Sequence, residues 1–95
     1  MKILIAPDAP ATLADPDDFR SFAVEATRGA ALGAAGRPEG DAHVFVDPAA
    51  LRALPGARAE DPEWSRALDG MLAYAASKGW TDAAGHVRAH VEWVG

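Results

Sequence analysis

Cysteine is absent from this 95-residue chain, which excludes disulfides, thiolate metal sites and a thiol nucleophile together. Lysine is nearly absent: seven arginines and two lysines stand against 14 acidic residues, for a formal charge of −5. The nine cations are scattered from Lys2 to Arg88 with no basic stripe. Binding to a phosphate backbone gains from clustered cations that release counterions, so nucleic acid is not an expected partner. Long hydrophobic runs are also missing. None approaches the roughly 20 apolar residues that span a bilayer, and the run after Lys2 stops at Pro7 and Asp8, before a secretory leader would be complete. The expectation is a cytoplasmic protein with no membrane partner.

Several motifs are lacking too. The glycines at 29, 33, 36 and 40 fit neither the dinucleotide G-x-G-x-x-G nor the phosphate loop G-x-x-x-x-G-K-[ST], and no serine sits in a G-x-S-x-G elbow. Bulk is scarce as well. Apolar residues make up 49% of the chain, but 23 of them are alanine. A chain of this length forms one domain, residues 1–95, with a thin core. Such a core gains apolar burial by self-association, so a homodimer is expected. The excess of arginine over lysine and the abundant alanine fit GC-rich coding and a bacterial source.

What the chain does contain is concentrated between Asp61 and Val94. Trp64, Ala67, Leu68, Met71, Leu72 and Ala75 recur at helical spacing and predict one apolar stripe. Asp61 is a natural N-cap, Pro62 suits the first helical position, and Gly79 supplies a left-handed stop. Beyond the helix, Val87, Ala89, Val91 and Trp93 alternate with His86, Arg88, His90 and Glu92. That two-residue period predicts a strand with one apolar and one ionisable face.

Further strands are expected at Lys2–Ala6 and Ala42–Val46, each a short β-branched run closed by a proline turn. The opening octet MKILIAPD resembles the start of bacterial glycerate kinases, a likeness of eight residues that implies only a strand and turn. Asp-Pro pairs at 15–16, 47–48 and 61–62 each precede a helix-like segment. They predict a helix from Pro16 bearing Phe19, Phe22, Ala23, Ala26 and Ala30, a short helix over Pro48–Leu54, and the long helix already described. A competing reading makes Phe22–Thr27 a strand. Asp8–Asp15 and Gly36–Asp41 read as loops. The expected fold is α/β: a single layer of about three strands, at least partly parallel, packed by two main helices and one short helix.

The ionisable face of the last strand is the main chemical constellation. His90 between Arg88 and Glu92 could act as a general base, with Glu92 orienting the imidazole and Arg88 holding an anionic substrate. These three are the candidate catalytic residues. His86 would stand near 13 Å from His90 along a strand, too far to share a metal. His43 could lie opposite His90 or His86 and join Glu92 as a ligand set, but no short motif fixes their spacing, so no metal or cofactor is expected. Asp8 and Asp47 follow strands and could hold magnesium between them. The tryptophans are expected in the core or at a subunit contact, with Trp80 exposed in part at the helix exit.

Two functions fit these residues. The first is a non-catalytic homodimeric protein-interaction or accessory module. The second is a small enzyme or ligand-binding protein that uses the His/Arg/Glu face for acid–base chemistry or for binding a small anion.

Overall fold

The computed structural model describes the whole chain, Met1–Gly95. It contains β1 (Lys2–Ala6), β2 (Ala9–Ala14), β3 (Ala23–Thr27), β4 (Arg37–Glu39), β5 (His43–Val46), α1 (Pro48–Arg52), α2 (Pro62–Ser77) and β6 (Val87–Val94), with a single 3-10 turn at Leu32–Ala34. The strands form one six-stranded sheet in the order β2-β1-β3-β6-β5-β4. β1, β3 and β6 run parallel in its centre, while β2, β5 and β4 pair antiparallel to their neighbours.

The expected class, α/β, holds, but the expected layer of three strands with two main helices does not. The sheet has twice that number of strands, and the chain has one long helix and one short one. β2 and β4 stand where loops were expected at Asp8–Asp15 and Gly36–Asp41 and owe their order to pairing, while β3 takes the competing strand reading of its segment. In β2, Leu13 is buried opposite Ile3, and Pro10 is accommodated because the strand lies at an edge, where a missing N–H costs no ladder bond. In β4 only three residues pair, all exposed, and they are held in register by β5.

The helix expected from Pro16 is replaced by turns and β3. Asp15 takes a left-handed conformation (φ 50°), and the Asp18 amide bonds back to the Asp15 carbonyl. The chain must cross the end of β1 between residues 15 and 22, and there the Met1 amine donates to the Asp18 and Ser21 carbonyls, each at 2.7 Å. Val24 and Ala26 are then wholly buried between β1 and β6. Two flanking ladders satisfy the β3 backbone and outweigh a capping signal worth about 1 kcal/mol. The competing strand reading of this segment is the one the fold adopts.

The other two Asp-Pro pairs do open helices. Asp47 accepts from the Ala49 amide at 2.9 Å and Asp61 from the Glu63 amide at 3.0 Å, each with proline in the first turn. Along α2, Trp64, Leu68 and Ala75 are buried, Met71 and Leu72 are half-buried, and Ala67 is exposed, so the stripe is narrower than its spacing implies. Trp64 donates its indole N–H to the Pro16 carbonyl at 2.7 Å, which fastens the helix start to the crossing loop. Leu51, Trp64 and Leu68 share one core with Ile3, Val24, Val44 and Val91, so both helices lie on the same side of the sheet. No polar residue is buried. The opposite face carries no helix.

Candidate functional site

That uncovered face gathers the ionisable residues singled out from the sequence. On β6, Val87, Ala89 and Val91 turn into the core, so Arg88, His90 and Glu92 turn outward. Antiparallel pairing sets His43 of β5 directly opposite His90 and Phe45 opposite Arg88. β4 adds Glu39 beside His43 and Arg37 beside Phe45. On the other flank, β3 brings Ala23 beside His90 and Glu25 beside Glu92, and β1 adds Lys2 and Leu4. Paired residues share a face, so one cross-strand row reads Lys2, Ala23, His90, His43, Glu39.

The charges on this face compensate one another. Glu25 and Glu92 stand directly opposite, an arrangement that repels, and Lys2 Nζ bridges them at 3.5 and 3.2 Å. The hydrogen bond to Glu92 is the main cause that holds the Lys2 ammonium above its ordinary pKa. Arg88 donates its Nε–H to Glu39 Oε1 at 3.0 Å, and its Nη2 lies 3.0 Å from the same oxygen. Its Nη2 also lies 3.3 Å from His43 Nδ1. A guanidinium can only donate, so His43 Nδ1 accepts and its ring proton sits on Nε2. The His43 and His90 rings meet edge to face, with centroids 5.6 Å apart. Arg37 stacks over Phe45 at 4.6 Å and donates to Asp82 at 2.8 Å.

Arg88, His90 and Glu92 therefore share a face, each with a different partner. Glu92 bonds to Lys2, Arg88 to Glu39, and His90 packs against His43. No carboxylate orients His90. A concavity on this face is lined by Leu4, Thr12, Glu25 and Thr27 and does not include His43, His90 or Glu92. No three ligating side chains converge on a point where a metal could sit.

His86 precedes β6 and belongs to a different structure. Its amide donates to Asp82 Oδ1 at 2.9 Å and its Nδ1 lies 3.9 Å from Asp82 Oδ2. Asp82 also accepts from the Ala84 amide and Arg37, closing the turn into β6. The bond from the His86 amide is the main cause that lowers the Asp82 pKa. The pair Asp8 and Asp47 is not brought together. β5 runs opposite to β1, so the turn holding Asp8 and the cap formed by Asp47 lie at opposite ends of the sheet.

The tryptophans divide. Trp64 is in the core, whereas Trp80 is 48% exposed and Trp93 37% exposed. Trp80 and Tyr74, itself 57% exposed, form an edge-to-face pair with centroids 5.9 Å apart. Sequence reasoning missed this pair, although a signal existed: Tyr74 lies off the helix stripe, and Trp80 directly follows the helix-ending Gly79. The chain matches no protein-family profile, no curated protein and no solved structure.

Proposed function

We propose that this protein is a non-catalytic interaction module that self-associates through the uncovered sheet face. The observation that carries the reading is the charge balance of that face. Lys2, Arg37 and Arg88 stand against Glu25, Glu39, Glu92 and the Asp82 that pairs with Arg37, so the face carries only one of the five net negative charges of the chain. Two copies meeting face to face incur less like-charge repulsion than the net charge of −5 on each would imply. The long cross-strand row is also self-complementary. A two-fold axis parallel to the strands and close to His90 sets each Lys2 against a Glu39.

Pairing through sheet edges is disfavoured by comparison. β2 carries Pro10 and gives its Leu13 amide to the Pro55 carbonyl, while β4 is three residues long and contains Pro38. The face measures roughly 24 by 16 Å from strand spacing and rise, so a dimer would bury on the order of 1,000 Å² in total. That is near the lower bound for specific interfaces and fits micromolar association. The alternative, acid–base chemistry by His90 with Glu92 and Arg88, has less support because both charged neighbours are bonded away from the imidazole.

Sedimentation velocity from about 5 to about 500 µM tests the proposal. The expected result is a reversible monomer–dimer equilibrium that His90→Glu, which sets carboxylates at the axis, weakens at least about tenfold without lowering the melting temperature. A monomer throughout the range, or a dimer indifferent to His90→Glu, would sink it.

A further inference from the structure

A second surface has different chemistry. Between the C-terminal half of α2 and the crossing loop lies a groove of about 470 Å³, lined by Phe19, Phe22, Met71, Tyr74, Trp80 and Val87. Its volume falls in the range of small-molecule sites. Arg20, Ser21 and Arg88 complete the lining, but the Arg88 guanidinium is turned to the other face of the sheet, where it pairs with Glu39. Lys78 adds a second cation at the margin, its Nζ 5.5 Å from the Tyr74 ring centroid. In a chain with net charge −5, Arg20 and Lys78 thus flank an apolar groove whose lining includes no aspartate or glutamate.

The two cations are not equivalent. Lys78 rests on Tyr74. Arg20 forms no side-chain hydrogen bond or ion pair, while its own amide is anchored to Asp18 Oδ1 at 3.1 Å and the next residue's hydroxyl to Asp18 Oδ2 at 3.0 Å. The loop bearing it is thus held while its guanidinium has no partner. Trp80 offers a second unused donor. The indoles of Trp64 and Trp93 donate to the Pro16 and Asp41 carbonyls, whereas Trp80 has no acceptor within the chain.

We propose that this groove is a binding site for a small organic acid with an aromatic body and a single carboxylate. The ring would lie among Trp80, Tyr74 and Phe22, and the carboxylate would accept from the Arg20 guanidinium. Aromatic walls favour a flat apolar body through offset and edge contacts. One unpaired guanidinium matches one carboxylate, with bidentate geometry available. The inference is independent of self-association, because the groove lies at α2 and the crossing loop.

The test uses 3-phenylpropanoate as the probe, with 3-phenylpropan-1-ol lacking the charge and propanoate lacking the ring, each followed by ¹H–¹⁵N NMR on the intact chain. Saturable shifts are expected for the phenylpropanoate at residues 19–22, 71–75 and the Trp80 indole. The alcohol should bind the same residues at least about fivefold more weakly, and propanoate should leave them unmoved. Arg20→Gln should weaken the acid but not the alcohol, whereas Trp80→Ala should weaken both. Both side chains are exposed, so neither change removes core packing. Equal binding of acid and alcohol, an Arg20→Gln variant that binds like the parent, or shifts that fall outside the groove would overturn the proposal.

Discussion

Replacing Leu68 by alanine tests the foundation of the architecture. Leu68 is 0% exposed and sits in the core that joins α2 to Ile3, Val24, Val44 and Val91. Truncation removes three carbons from a site closed by sheet on one side and by Trp64 and Leu51 on another. A buried Leu→Ala change costs about 2–5 kcal/mol, the spread reflecting how far the cavity can collapse. Here collapse is opposed by a sheet whose strands are hydrogen-bonded into register, so the upper half of that range, about 3–5 kcal/mol, is expected. A domain of this length has a total stability of roughly 5–14 kcal/mol. The loss is therefore a large share of the whole. Urea unfolding followed by far-UV circular dichroism should give a midpoint well below the parent's with a similar slope, and the melting temperature should fall by more than about 12 °C. Ala67→Ser, one position away and exposed, is the control and should change stability by less than about 0.5 kcal/mol. If Leu68→Ala also cost under about 0.5 kcal/mol, the helix would not be packed on this sheet.

Two glycines should respond in opposite directions to alanine. Gly56 has φ 96°, and an added Cβ would lie 2.1 Å from the Leu13 carbonyl oxygen, so Gly56→Ala should pull the loop off β2 and cost more than about 1 kcal/mol by urea unfolding. Gly70 is exposed in the middle of α2 with nothing near the added Cβ, so Gly70→Ala should stabilise by about 0.5–1 kcal/mol. The Asp82 carboxyl should make stability depend on pH in a known direction. Its pKa is lowered in the folded chain from an ordinary 3.8, so the unfolded chain binds more protons in the window between the two values. The stabilisation is complete above that window and is lost as pH falls through the folded pKa. Urea midpoints between pH 7 and pH 2.5 should show Asp82→Asn weakest relative to the parent at neutral pH, the gap closing in acid. A gap that stays constant with pH would show that the ionised form is not what the turn holds.

Local chemistry was legible wherever a residue acts on its own neighbours. Asp47 and Asp61 cap their helices because each carboxylate reaches an amide two residues on, within one turn of chain. The α2 stripe and the alternation of β6 were legible for the same reason, since the helical and strand periods are properties of the backbone. The outward orientation of Arg88, His90 and Glu92 followed from that alternation alone. What these residues bond to did not, because the neighbours of a strand residue come from other strands. Lys2 reaches Glu92 across β3, and Glu39 reaches Arg88 across β5, over sequence separations of 90 and 49.

The same distinction accounts for the misread segment after Asp15. Its cap and proline speak for a helix, and locally they are sound, yet the centre of a parallel sheet supplies two ladders of hydrogen bonds and complete burial for Val24 and Ala26. The proline-bearing edge strands carry little preference of their own and are ordered by the partner they pair with. Sequence alone determined the α/β class, the long helix with both its ends, and strands over Lys2–Ala6, Ala42–Val46 and the alternating run from His86 to Trp93, which the fold realises as Lys2–Ala6, His43–Val46 and Val87–Val94. Tertiary structure decided the strand order, the edges, the His43–His90 pair and the groove beside Trp80, because each depends on which distant backbone completes a hydrogen-bond ladder, and no local pattern encodes that choice.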